Sequence, residues 1–395
     1  MAFITQLGVS VMLPLLPLYA QSLGATPFVL GLLVSSFAVA LAVGQLGAGF
    51  LAERFASRRL VIAGMGLYAG ANVAIAASTA AIQLIAFRAA AGLGAGVNQV
   101  AERLYLTQVA DRARLAFANS ILSAAGSAGS VVGPTVGGVL AAIGDLRVPF
   151  IVVGITSLTA AVAGWFLPSP AAHEIPVADG TGLPVATADE AGIAAGESAG
   201  GASTARVLAV LFVAQLALQA GFGGFITTYA PFASERLNWS TAEIGLVFSL
   251  FGVGSVLLGP WLARLADRYG RRSFGIIGAA LLVPFGLVYV AEAPRLILYP
   301  VSIVAGAGLT TIEASWFALL SDATDGGRRG RAFGTVVALS SLGIAVGSTV
   351  ATQLWERSGD VGLGLVVSAA AVAIAGVALL AHPADVREVR PANRS

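Results

Sequence analysis

Cysteine is absent from all 395 residues. No disulfide, thiolate metal ligand or thiol nucleophile is therefore open to this chain. Histidine occurs twice, at His173 and His382, both in polar stretches, so an imidazole relay inside an apolar segment is excluded. Lysine is missing as well: all 22 basic residues are arginine, which reads as a composition bias with no functional weight. Charge of either sign is scarce, at 11% of residues against about 25% in soluble domains, while hydrophobic residues reach 57% against about 45–50%. Those absences exclude an ordinary soluble globular protein.

What fills the chain is apolar sequence, with a mean hydropathy of +0.87. Runs of about 20 residues, the length that crosses the hydrocarbon core as helix, recur from end to end with short polar breaks. Hydropathy places twelve spans at 3–22, 28–50, 60–79, 81–103, 116–141, 148–167, 206–230, 242–262, 274–291, 296–320, 333–354 and 361–381. The expected fold is an all-α integral membrane protein. Span 1 begins almost at Met1, without the basic n-region and small-residue cleavage site of a signal peptide, and is expected to remain uncleaved. The segment 168–205 is rich in Ala, Gly and Pro, carries five acids and no base, and reads as a flexible linker. It divides the chain into a first block, 1–167, and a second, 206–381, followed by a tail at 382–395.

Arginine placement gives the orientation. With a cytoplasmic amino terminus, the inner loops and tail hold 17 arginines and the outer loops four. The positive-inside rule then puts both termini in the cytoplasm, in a cytoplasmic membrane.

The charged stretch "ARLADRYGRR" at 263–272 has an echo 214 residues earlier in "GFLAERFASR". Leu51 aligns with Leu265, Ala52 with Ala266, Glu53 with Asp267, Arg54 with Arg268 and Arg58 with Arg272. The same offset pairs Gly31 with Gly245, Gly64 with Gly278, Gly92 with Gly306 and Gly94 with Gly308. Six spans separate the copies, so both face one side, and the two six-helix bundles form a parallel repeat about an axis along the membrane normal.

Two six-span halves, each with a G-x-L-A-D-R-x-G-R-R loop after its second span, resemble the major facilitator superfamily along the whole chain. The second copy is nearly complete in Asp267, Arg268, Gly270, Arg271 and Arg272. The first keeps Gly49, Arg54 and Arg58, with Glu53, Ala56 and Ser57 where Asp, Gly and Arg are usual. An R-x-x-x-G-x-G pattern appears as Arg88, Gly92 and Gly94. A G-x-x-x-G-P-x-x-G-G pattern on span 5 is complete as Gly129, Gly133, Pro134, Gly137 and Gly138. The span 5 pattern is similar to that of drug and proton antiporters. The resemblance implies a monomeric secondary transporter working by alternating access. Its expected role is efflux of a drug-like or amphipathic solute in exchange for protons, with a nutrient or sugar permease as the alternative. The proton gradient would be the driving force, with no cofactor, no metal and no nucleic-acid partner. The sequence has no G-x-x-x-x-G-K-[ST] loop for ATP. The spans offer no His, no Cys and only scattered carboxylates, which disfavours a membrane enzyme or receptor.

The loop carboxylates Glu53 and Asp267, with Arg58, Arg271 and Arg272, are either plain topological anchors at the inner face or latches that form when the inner helix ends close. Exposed pairs contribute about 0–1 kcal/mol each, enough for a network to bias a switch. The glycines of span 5 permit close helix packing and are expected at a sliding seam between the halves, with Pro134 adding a kink. Arg88 stands about 10 Å inside span 4 at 1.5 Å per residue, either as a polar tether between helices or as a cavity residue. Gln99 and Glu102 share its helix face, and Glu102 is expected to pair with the arginines of the first gate loop. Glu313 on span 10 is a carboxylate well inside the second half, either a group that binds and releases a proton or a permanently protonated or backbone-paired packing residue. Further polar positions in the presumed cavity helices are Gln6 and Tyr19, Asn98, Gln215, Gln219 and Tyr229, and Thr310, Thr311 and Trp316. Ser240 and Glu243 fit a capping box, and Thr26 and Pro27 a similar helix start.

Overall fold

The computed structural model describes residues 2–109, 115–168, 200–323 and 329–382, helical apart from short turns. Among them thirteen α-helices follow in order. The first half holds α1 (Ala2–Ser22), α2 (Pro27–Ala52), α3 (Ser57–Ala76), α4 (Ala81–Val109), α5 (Leu115–Ile143) and α6 (Val148–Ala163). The second holds α7 (Gly200–Glu235), α8 (Thr241–Leu257), α9 (Gly259–Tyr269), α10 (Arg271–Val290), α11 (Arg295–Ala323), α12 (Arg329–Ser358) and α13 (Gly362–Leu380). Ten of these are long and apolar enough to cross a membrane, and α8 with α9 forms an eleventh span bent by 41°. With α12, the element order is that of the twelve expected spans. Most of the expected linker lies outside the described residues, although 200–205 already belong to α7.

Between lipid-exposed helices the hydrophobic effect contributes little, so close backbone approach and interhelical hydrogen bonds hold the bundle. The glycines provide that approach identically in both halves. A Cβ on Gly94 would stand 2.7 Å from the Gly64 carbonyl, and one on Gly308 2.7 Å from the Gly278 carbonyl. Each contact is the image of the other under the 214-residue offset.

Three expectations are corrected. The eighth span is not one helix over 242–262, because Gly259 and Pro260 interrupt it and start α9, which continues through the charged decapeptide as far as Tyr269. What looked like a loop is thus mostly helix, with Gly270 alone at φ 115° as the turn into α10. Thr26 makes no side-chain cap on α2, whereas Ser240 and Glu243 form both bonds of the capping box on α8. Three of the four span 5 glycines serve the first half's own packing. Cβ atoms on Gly129, Gly133 and Gly137 would stand 2.6, 2.8 and 2.9 Å from α1, leaving Gly138 to face the second half at Thr241. Pro134 lies inside an unbroken α5.

Candidate functional site

The halves meet through α2 against α12 and α5 against α8. Ser35 Oγ lies 3.3 Å from Thr349 Oγ1, and Thr135 Oγ1 lies 2.7 Å from Ser249 Oγ. Residues 35 and 249, and 135 and 349, are repeat equivalents, so the two bridges flank the pseudo-two-fold axis as mirror roles. A third bridge sits at the axis. Gln21 Nε2 donates to Glu235 Oε1 at 2.8 Å, and these two are themselves 214 residues apart.

At the same end Glu356 Oε2 accepts from the Phe28 backbone N–H at 3.0 Å. A carboxylate of one half thus caps the first turn of α2 in the other, where the helix dipole favours negative charge by about 0.3–1 kcal/mol. Glu356→Gln is expected to populate an open form of this end about two- to fivefold more. Spin labels at Ser22 and Ser358 would read that as a longer-distance population, and an unchanged distribution would remove Glu356 as a latch.

The arginine-rich end, by contrast, has no ion pair between the halves among the described residues. Arg58 donates to the carbonyls of Gly164 and Trp165 at the end of α6. Arg271 bridges Asp267 at 3.1 Å and Asp322 at 2.5 Å, and Arg272 donates to the Leu379 and Leu380 carbonyls. These contacts of Arg58, Arg271 and Arg272 all lie inside the arginine's own half. Asp322, at the end of α11, is a partner that sequence reading missed, for nothing in its local pattern marks it. Glu53, Arg54 and Arg268 stand exposed at the helix ends, and Gly49 lies on the last turns of α2.

Between the inner parts of α1, α4 and α5 at this end lies a cleft of about 590 Å³. Its walls include Thr5, Gln6, Gln99, Glu102 and Arg103, and a polar row from α5: Asn119, Ser123, Ser127 and Ser130. The α5 row was not anticipated, although its three- and four-residue spacing puts it on one helix face. Glu102 does not pair with the first gate loop. It accepts from Asn98 Nδ2 at 3.0 Å, and the same amide donates to Thr5 Oγ1 at 3.0 Å. Gln99 is held by Gln45 Nε2 at 3.0 Å.

Several other candidates lie away from this cleft. Tyr19 donates to the carbonyls at the end of α3 and packs on Phe150. Trp316 donates from Nε1 to the Leu211 carbonyl at 2.7 Å, in the second half's core. Tyr229 is fully buried among Phe225, Phe248 and Tyr289. Gln215 donates to Ser340, Gln219 packs beside Gly343, and Thr311 bonds its own helix at Ala307. A second cavity in that half, walled by Phe222, Phe225, Phe251 and Phe285, measures about 30 Å³ and holds no solute-sized space.

Arg88 is 4% exposed, deep among α1 and α2. Its guanidinium lies 4.1 Å from the Phe37 ring centre, Nη1 donates to Met12 Sδ at 3.4 Å, and Nε has no acceptor. Glu313 also lacks a partner: no hydrogen bond or ion pair reaches its carboxylate among the described residues. The described residues contain no group of three His, Asp or Glu side chains set to hold a metal.

Comparison with known proteins places this geometry. The chain is similar to the class C tetracycline resistance protein of Escherichia coli, 27% identical over 376 residues, covering 92% of this chain and 90% of the relative. It is also similar to the quinolone resistance protein NorA of Staphylococcus aureus strain COL, at 22% identity and 96% and 93% coverage. Among solved structures, the nucleoside transporter NupG superposes with a TM-score of 0.75 at 13% identity, over 96% of each chain. A D-xylose–proton symporter does so at 0.74 and 16%, over 98% of each. These superpositions share one fold along nearly the whole chain. The family model of the Major Facilitator Superfamily matches residues 1–206 and 211–395, and the chain belongs to that superfamily as a multi-pass membrane transporter of small molecules, not an enzyme.

Proposed function

We propose that this transporter exports an amphipathic, drug-like solute across the cytoplasmic membrane in exchange for protons, by alternating access. The observation that carries the reading is the asymmetry between the two ends. One is closed by Gln21 with Glu235, Glu356 with α2, and the paired hydroxyl bridges. The other holds the cleft, and the contacts of Arg58, Arg271 and Arg272 there lie within their own halves. With the arginine-rich end in the cytoplasm, this is an inward-facing state that would load solute from inside. Closing that end would let Asp267 and the arginines exchange their present partners for ones across the axis. The drug-resistance relatives support efflux. The polar wall of the cleft, which includes one carboxylate and one guanidinium, suits a solute with several hydrogen-bonding groups, which keeps sugar uptake as the second reading.

The test is transport by purified protein in liposomes across a panel of dyes, drugs and sugars, with a pH gradient imposed in either direction. Gradient-driven movement of a dye or drug opposite to protons is the expected result. Movement of a sugar alone, in the same direction as protons, would replace export by uptake.

A further inference from the structure

The repeat equivalents of Gln45 and Gln99 are Gly259 and Glu313. In the first half the two side chains hydrogen-bond at 3.0 Å across an unbroken α2. In the second half the glycine offers no side chain, and the helix breaks at that residue.

Helix spacing puts Glu313 on the face of α11 that packs beside the break. The stripe of α11 that packs on the eighth span runs through Ile303, Gly306 and Thr310, at spacings of three and four. Glu313 is the next residue on that stripe, at the level where α9 swings away by 41°. The break leaves backbone groups of both kinds there. The α8 ladder ends with Leu258 N–H on the Gly254 carbonyl, and the α9 ladder begins with Leu262 N–H on the Leu258 carbonyl. Pro260 has no N–H. The carbonyls of Ser255, Val256 and Leu257 therefore have no helical donor, and the N–H groups of Gly259 and Trp261 no helical acceptor. Thr310 Oγ1 reaches the Ser255 carbonyl at a long 3.3 Å, which shows that α11 side chains have access to these groups.

We propose that Gly259 and Pro260 are positioning residues for Glu313, and that its carboxyl exchanges partners at the break as it gains and loses a proton. Protonated, it donates to a freed carbonyl at the end of α8. Ionised, it accepts from the free N–H groups that open α9, whose amino-terminal dipole favours the negative charge. Each exchange alters which groups the break can satisfy, and so alters the bend between α8 and α9. This inference rests on the reading of Glu313 as the proton carrier.

Charged groups elsewhere do not supply the response by direct pairing. On α9 these are Arg264, Asp267 and Arg268, all exposed, with Tyr269 beside them. On α10, Arg271 is held by Asp267 and Asp322, and Arg272 by two carbonyls. On α7, Arg206 is exposed, and at the far end of α8 Glu243 pairs with Arg295.

The chain has no cysteine, so labels can be placed without background. Spin labels at Tyr269, 58% exposed on α9, and Leu296, 86% exposed on α11, report the bend in full-length protein reconstituted in lipid. An 11-residue helix is about 16 Å long at 1.5 Å per residue, so re-bending should move the distance by about 5 Å between pH 5 and pH 9. Glu313→Gln, which keeps a donor and cannot ionise, should hold the low-pH distance at both pH values. Pro260→Ala, which restores a donor and lets the span run straight as α2 does, should remove the response. A pH response that persists in Glu313→Gln, or a wild-type distance that does not move, overturns the proposal. If the distance is fixed while Glu313→Gln still abolishes proton-driven transport, the carrier stands and the break has no part in it. If Glu313→Gln leaves that transport intact, the carrier itself falls.

Discussion

Glu313→Gln is expected to leave the protein folded in the membrane while abolishing the dependence of transport on the pH gradient. No side chain is bonded to the carboxylate, so the amide orphans no partner, and it fills the same volume. Breaking a buried ion pair would destabilise strongly by stranding its other charge, and no such pair exists here. The functional loss follows from charge. One proton exchanged per solute supports about tenfold accumulation per unit of pH gradient, because a unit corresponds to about 1.4 kcal/mol. Without a titrating group that accumulation should fall to the equilibrium value, while exchange of labelled for unlabelled solute continues. Measured accumulation ratios in liposomes, with and without the gradient, check this directly. A variant that still accumulates solute tenfold would move the proton to another group.

Arg88→Met is the second large effect. The guanidinium is nearly inaccessible, and its neighbours are a thioether, an aromatic face and no carboxylate. Placing an arginine at this depth costs at least about 2.5–3.5 kcal/mol on insertion scales, against which a desolvated cation–π contact returns about 2 kcal/mol. By packing alone, methionine of similar length should be neutral or stabilising. Transport is expected to drop at least about tenfold, the scale of losing one charge-assisted hydrogen bond formed during the cycle. Unfolding temperature in detergent and transport rate must be measured together. A variant with full transport would make Arg88 a tether only, and one that fails to fold would make it a structural keystone.

The repeat was the most legible feature of the sequence, and it reached further than the fold. An offset read from glycines and charges also relates the two hydroxyl bridges between the halves, Ser35 with Thr349 and Ser249 with Thr135. The capping box at Ser240 was legible because all its atoms lie within four residues. The break at Gly259 was not, since a hydropathy window sees the same apolar average whether or not the backbone ladder continues. Trp316, Tyr19 and Gln215 looked like cavity groups because a buried polar atom needs a partner, and the sequence does not show that a distant backbone carbonyl or serine supplies it. Asp322 and Glu356 were missed for the converse reason. Their partners, Arg271 and the start of α2, come close only when the whole bundle is assembled. The gate arginines were found as a group, but the carbonyls and Asp322 that hold Arg58, Arg271 and Arg272 come close only in the assembled bundle.

The most direct test of proton-driven export through Glu313 uses everted membrane vesicles with an acidic interior, with one transported dye supplied outside. The wild-type protein should concentrate dye inside, a protonophore should release it, and Glu313→Gln should show neither effect. Dye uptake that ignores both the pH gradient and the protonophore would contradict proton exchange as the driving force.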